Sequence, residues 1–366
     1  GVPRSFHGMV GLKNKDVGGS VMAKSSDYFA LTKPRVVVLL QITALCAVIV
    51  HDVLDSEFGI GSIETMGIVF VGGYLTAGGA NAINMWYDSD IDPKMTRTAN
   101  RPIPSGSISE SAALTLGVSL SIIGVVWFAV LSNGVAAFWS AFSILFYVFV
   151  YSIWLKRRTP QNIVVGGIAG STPPVIGWAA CEEGLAISLD SPLSAIESLV
   201  DIGSLMPWLM FLLIFLWTPP HFWALALYRS GEYANVGVPM LPNVKGPERT
   251  IKEMKAYAVL LILLSLCVPL SYGEIDEGDA AYHILGWTVI ILSVWYASTV
   301  WRIDISEDPD ETGRIASAAS SFFVSMLYLA MMFAVLVTAS LGTIGAALGA
   351  VATISSISKI ELGSSS

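Results

Sequence analysis

The chain has 366 residues, of which 54% are apolar and only 13% charged, roughly half the charged share of an ordinary soluble domain. A soluble globule is excluded, because single cores stop growing at about 250–300 residues, whereas here apolar runs of bilayer-crossing length recur from Val36 to Thr353. The net charge of −8, with basic residues too dispersed to track a phosphate backbone, excludes a nucleic-acid partner.

Residues 1–26 carry Arg4, Lys13, Lys15 and Lys24 among glycines and lack the apolar core and cleavage site of a secretory signal. They are read as a disordered or added N-terminal tail. They also match an Arg- and Ser-rich transit peptide poorly, which favours a prokaryotic plasma membrane over an organelle. Residues 27–340 then form the membrane domain, with nine helices expected near 36–51, 65–87, 111–131, 135–154, 162–180, 205–229, 255–272, 283–301 and 316–340. Residues 341–366 are left as a Gly/Ser-rich C-terminal tail, the stretch 341–353 being too short and glycine-rich for a tenth span. Cys46, Cys181 and Cys267 have no metal or redox spacing and read as small buried hydrophobes.

Cytoplasmic loops retain Lys and Arg. Of the 20 basic residues, 19 fall in the N-terminal segment or around the loops after spans 2, 4, 6 and 8; the twentieth is Lys359. The loops after spans 1, 5 and 7 hold 13 acids, and no basic residue follows any odd-numbered span up to the seventh. A cytoplasmic N-terminus follows and, with nine spans, an external C-terminus.

Span 2 ends in Asn84-Met-Trp-Tyr-Asp88-Ser-Asp90-Ile-Asp92-Pro93. Spacing by four puts Asn84, Asp88 and Asp92 on one helical face, although Pro93 places Asp92 at or past the helix end. Oxygen donors of this kind suit Mg²⁺, which takes its remaining ligands from water and substrate phosphates. Arg97 and Arg101 follow in the same loop. Guanidinium forks match phosphate oxygens, so acids that collect Mg²⁺ beside arginines describe a diphosphate site. Lys156, Arg157 and Arg158 after span 4 fit either phosphate binding or topology. Span 6 carries Trp217-Thr-Pro219-Pro220-His221-Phe-Trp223, where prolines are expected to kink or break the helix beside a substrate chamber. His221 is the one histidine well inside an expected span, which marks it as functional or as a helix-packing residue. Glu232, beyond Arg229, offers a second acidic face to the metal.

The Asn84/Asp88/Asp92 pattern on nine spans resembles the UbiA superfamily of intramembrane prenyltransferases. The strings Leu31-Thr-Lys33-Pro-Arg35, Asn84 to Pro102, Leu155 to Asn162, Trp217 to Trp223 and Gly237 to Pro242 resemble its protoheme IX farnesyltransferase (heme O synthase) branch, over about Leu31 to Ser340. That resemblance implies an all-α polytopic membrane protein, a nine-helix bundle with a central chamber. It further implies Mg²⁺ and farnesyl diphosphate near the cytoplasmic loops, heme B entering from the bilayer, and heme O as product for a downstream heme A synthase or terminal oxidase. On this reading Asn84, Asp88 and Asp92 hold Mg²⁺ and act with Arg97 and Arg101 in catalysis. Lys33, Arg35, Lys156, Arg157, His221, Arg229 and Glu232 bind substrates. The sequence departs from many relatives in having one acid, Glu232, before Tyr233 where they have two. The competing acceptors are a quinone precursor or a glyceryl phosphate lipid; a transporter is the alternative of another class, against which stands the lack of an internal repeat.

Overall fold

The computed structural model describes residues 23–55, 58–95, 98–229, 238–273, 279–307 and 315–363. Arg97 and Glu232 lie outside the described residues, as do residues 1–22. Among the described residues there are helices and turns only, with ten helices long and apolar enough to cross a membrane.

A short helix α1 (Ser25–Leu31) leads into α2 (Pro34–Leu54), α3 (Ile60–Tyr87), α4 (Glu110–Leu131) and α5 (Gly134–Leu145). The last continues as a π-helix over Phe146–Leu155. The fifth span is two helices, α6 (Asn162–Ser171) and α7 (Pro173–Cys181). Pro173 and Pro174 follow the junction at Thr172, where a missing N–H and a ring clash end the preceding helix. The outer loop adds a short helix α8 (Pro192–Val200), whose Leu193, Ile196 and Val200 are exposed. Then come α9 (Met206–Tyr228), α10 (Leu241–Lys245), α11 (Pro247–Cys267), α12 (Ala280–Trp301), α13 (Ala316–Ser340) and α14 (Thr343–Gly363).

Each span packs on its chain neighbour and α13 returns to α2, closing a ring of nine; α14 packs outside it on α12 and α13. Without a hydrophobic drive between helices in lipid, close approach depends on small residues. A Cβ added to Gly79 of α3 would stand 2.7 Å from the Gly117 carbonyl of α4, and one added to Gly177 of α7 would stand 2.4 Å from the Ala44 carbonyl of α2. Exposed Val36, Leu39, Phe70, Ile122, Leu263 and Trp287 face outward from the bundle, as lipid-facing side chains do.

Three expectations change. The expected tail contains α14, whose 21 residues reach about 30 Å at 1.5 Å per residue, a full crossing. Its two ends are tied to opposite ends of α12: Thr343 donates to Asp279 Oδ1 at 3.2 Å, and Arg302 pairs with Glu361 at 2.9 Å. The end of α14 at Gly363 therefore lies at the same end of the bundle as Arg302 and the loop after α12, whereas nine spans had placed residues beyond Ser340 on the opposite side. Pro219 and Pro220 do not break α9, which is helical throughout 206–228; the two prolines are buried. Of the cysteines, Cys267 is exposed and Cys46 and Cys181 are half-buried, so none is a fully buried hydrophobe.

Candidate active site

The acidic segment lies where α3 stops. Asp88 is its C-cap, and the chain continues through Asp92 N–H donating to the Asp88 carbonyl at 2.9 Å into a 3₁₀ turn, Asp92–Lys94. Ile91 packs with Ile163, Ala226, Val238 and Met240, which fixes the turn against α6 and α9. As a result Asn84, Asp88 and Asp92 are 2%, 1% and 3% exposed. Carboxylates so enclosed are expensive unless each is compensated.

The compensation comes from the same loop for Asp92 and from distant parts of the chain for Asn84 and Asp88. Asp92 takes two hydrogen bonds from Arg101 Nη1, at 2.9 and 2.7 Å, and Thr98 donates to its carbonyl at 2.8 Å. Asp88 Oδ2 accepts from the Lys156 ammonium. Arg157 Nη2 lies 3.5 Å from Asp88 Oδ1, an ion-pair distance too long for a hydrogen bond, and Asp88 Oδ1 is a buried oxygen with no hydrogen-bond partner among the described residues. Lys33 Nζ donates to Asn84 Oδ1 at 2.6 Å, and Asn84 Nδ2 donates to Ser152 Oγ at 2.9 Å.

Lys33 is the sole non-glycine residue with positive φ, at 51°, among the described residues. It caps α2 immediately before Pro34, a position where the helical region is disfavoured. This strained backbone turns its side chain onto Asn84, and such strain persists where the surroundings over-determine it. Burial, with Arg101 and Lys156 as like charges, pulls the Lys33 ammonium down to about 7. Asp88 and Asp92 oppose that fall, so all four charged groups stand within reach of Lys33.

Asp90, two residues off the Asn84/Asp88 face, points elsewhere. It is forked by Arg157 with two 2.7 Å bonds, which hold its carboxyl below the usual range, and its side chain is 59% exposed. Arg157 also lies over the Tyr87 ring at 4.7 Å. Arg35 is exposed on the first turn of α2 and Arg158 is exposed beyond the π-helix; neither joins the acids. Arg229 caps α9 with its guanidinium 5.7 Å from the Tyr228 ring.

His221, on α9, is buried against α13, stacked on Trp217 of its own helix at 4.2 Å and on Phe322 at 4.8 Å. Its Nδ1 lies 2.6 Å from Ser325 Oγ, while that hydroxyl donates to the Phe322 carbonyl at 2.6 Å. With its single proton so used, Ser325 accepts from Nδ1–H, which leaves the lone pair of a neutral imidazole on Nε2.

Ser152 and Tyr147 are the site residues sequence patterning missed. Ser152 donates back to the Tyr147 carbonyl at 2.9 Å, the five-residue reach of a π-helix, and Tyr147 lies in the field of Asp88 and Arg101. A π-helical stretch has no compositional signature, whereas Lys33 was legible as the lysine before Pro34.

Buried oxygens of Asn84, Asp88 and Asp92, one of them without a hydrogen-bond partner among the described residues, inside an arc of Lys33, Arg101, Lys156 and Arg157, fit a hard divalent cation with an anionic, phosphate-bearing ligand.

The chain matches the UbiA prenyltransferase family over residues 42–312. It is 43% identical over 327 residues to a protein of Bartonella tribocorum named protoheme IX farnesyltransferase, covering 88% of this chain and 94% of that one. Among solved structures, a digeranylgeranylglyceryl phosphate synthase aligns with a TM-score of 0.63 at 16% identity, covering 86% of this chain and 98% of that one. A UbiA homologue from Archaeoglobus fulgidus bound to GPP and Mg²⁺ aligns with a TM-score of 0.54 at 16% identity, covering 85% and 99%.

Proposed function

Because the chain belongs to the UbiA prenyltransferase family, we propose that it is a multi-pass membrane enzyme that transfers farnesyl from farnesyl diphosphate to a vinyl group of heme B, giving heme O. The observation that carries the acceptor is the 43% identity, across 88% of the chain, to a protein named for that reaction. The similarity to a glyceryl phosphate synthase rests on 16% identity and speaks for the fold alone.

Asn84, Asp88 and Asp92 would hold Mg²⁺. When bound, the ion draws negative charge from the diphosphate oxygens and makes the allylic C–O bond easier to break. Lys156 and Arg101 now neutralise Asp88 and Asp92 and are placed to exchange those partners for phosphate oxygens. Lys33 holds Asn84 in position from one side and Ser152 from the other. Arg97 and Glu232, outside the described residues, are assigned to the diphosphate and to a second carboxylate face. If Glu232 shares in metal binding, Glu232→Gln raises the Mg²⁺ concentration needed for half-maximal activity; an unchanged titration removes that role.

In the transfer, the diphosphate leaves with the electron pair of the allylic C–O bond. The terminal vinyl carbon bonds to farnesyl C1, and water adds to the inner vinyl carbon and loses a proton, leaving a hydroxyethylfarnesyl group. His221, with its lone pair on Nε2 and its ring clamped by Trp217 and Phe322, is assigned to the heme side of the chamber. Lys33, Lys156, Arg157 and Arg229 are assigned to substrate binding. Arg35, exposed at the start of α2, is given no further part. The orientation follows the basic residues: N-terminus and site are cytoplasmic.

The test uses purified chain with farnesyl diphosphate, Mg²⁺ and one acceptor at a time, in water enriched in ¹⁸O. Heme B should yield heme O carrying the label. Turnover on a quinone precursor or glyceryl phosphate lipid, with none on heme B, would overturn the assignment.

A further inference from the structure

We propose that the outer ends of α2 and α7 form a binding site for one zinc-class divalent cation, separate from the prenyl-transfer site and built from His51, Asp52 and Cys181. Ligand atoms of these three residues lie within 4.8 Å of one another, and His51 and Asp52 are buried. Lys33 and His51 occupy opposite ends of α2, 18 residues apart and thus about 27 Å at 1.5 Å per residue, so this cluster does not share the Mg²⁺ site.

The arrangement has the features of a metal site beyond the three donors. His51 Nδ1 lies 2.7 Å from Asp52 Oδ1, a hydrogen bond whose proton a cation ligated by both atoms would replace. The other ring nitrogen, Nε2, faces Glu182 Oε1 at 3.3 Å and Asp55 Oδ2 at 3.7 Å. A metal-bound histidine characteristically gives its second N–H to a carboxylate, which fixes tautomer and ring orientation. Trp178 sets the ring edge-on at 4.8 Å, and Asn133 ties down the end of α7 by donating to the Ala179 carbonyl at 2.6 Å. Room for the Glu182 carboxylate depends on Gly203, at φ 80°, where an added Cβ would stand 2.7 Å from Oε1.

Charge gives an independent reason. Three carboxylates, Asp52, Asp55 and Glu182, surround one imidazole and one thiol. The sequence has no Lys or Arg between Arg35 and Lys94, nor between Arg158 and Arg229, so neither strand of chain supplies a cation. With a neutral His51 the cluster carries three negative charges; a divalent ion held by the neutral imidazole and the Cys181 thiolate, whose proton leaves to solvent, lowers that to two. Mixed N, O and S donors select zinc-class ions over Mg²⁺ or Ca²⁺, which prefer oxygen alone. Asp55, with a 59% exposed side chain, marks the path from water. A bound ion would staple α2 to α7, neighbours already in backbone contact at Gly177.

The experiment is metal binding to the full purified chain in detergent with Mg²⁺ in excess, using Zn²⁺ for stoichiometry and Co²⁺ as the spectroscopic probe. One equivalent should bind, with a thiolate-to-cobalt charge-transfer band, and binding should persist in Asp88→Asn. Cys181→Ser should abolish the band, His51→Ala should weaken Zn²⁺ at least about 100-fold, and Glu182→Gln about 10- to 100-fold. The conservative Cys181→Ser and Glu182→Gln keep the test valid should His51→Ala fail to fold. Absence of a retained equivalent in the unaltered chain, or a band that survives Cys181→Ser, would overturn the proposal.

Discussion

Replacing Asp88 by Asn keeps the shape of the side chain and removes its charge. Asp88 is 1% exposed, is neutralised by Lys156 with Arg157 at 3.5 Å, and has one carboxylate oxygen without a hydrogen-bond partner among the described residues. Loss of one preorganised electrostatic group in a dry site costs about 10²–10³ in kcat, or ~2.7–4 kcal/mol of transition-state stabilisation. The same change strands the Lys156 ammonium, and breaking a buried pair from one side costs up to ~3–5 kcal/mol of stability. Asp90 is the internal control. Its carboxylate sits outside the acid cluster in an exposed fork with Arg157, where such pairs contribute about 0–1 kcal/mol. Asp90→Asn should therefore cost no more than about fivefold in turnover. The assay is initial-rate prenyl transfer across an Mg²⁺ titration, on protein whose folded fraction is checked by thermal unfolding. Equal losses at the two positions, with both variants folded, would refute the division of roles between them.

Gly79→Val should lower stability by about 1–3 kcal/mol through overpacking, because its Cβ meets Gly117 and Ser121 backbone atoms at 2.7 Å. Gly67→Ala, with nothing within 4 Å, should be neutral or slightly stabilising by chemical unfolding in detergent. Lys33 falls from 10.5 to about 7 on folding. Between those values the unfolded chain binds more protons, so this group makes metal-free stability rise with pH. Lys33→Met should remove that rise, and a wild-type and variant difference that stays flat from pH 7 to 9 would contradict it. A reporter fused after Gly363 should give a cytoplasmic signal and one inserted after Glu183 an external one; a cytoplasmic signal from the latter would invert the orientation.

The nine expected spans appear within several residues of their expected bounds, except that the seventh begins eight residues early, at Pro247. Uninterrupted apolar runs dictate helices in lipid, since no other open structure satisfies the backbone there. The tenth was hidden because glycines dilute its first half, and Lys359 and Glu361 give its last turns a polar look. Its register is settled by Arg302, 59 residues away. Two proline pairs behaved differently: Pro173-Pro174 separates α6 from α7, while Pro219-Pro220 stays within α9, packed against buried neighbours that sequence alone does not reveal. Within the site, the four-residue spacing located the acids. Their neutralising partners were not legible as partners, because Lys33 meets Asn84 across 51 residues and Lys156 meets Asp88 across 68. The same applies to His51 and Glu182, brought together across 131 residues.

The central claim is that the acceptor is heme. Extraction and mass analysis of hemes from cells that lack this activity and express the chain test it most directly. Such cells should contain heme O, that is heme B carrying one hydroxyethylfarnesyl group, and lose it in Asp88→Asn. Unmodified heme B together with a newly prenylated quinone precursor would contradict that claim.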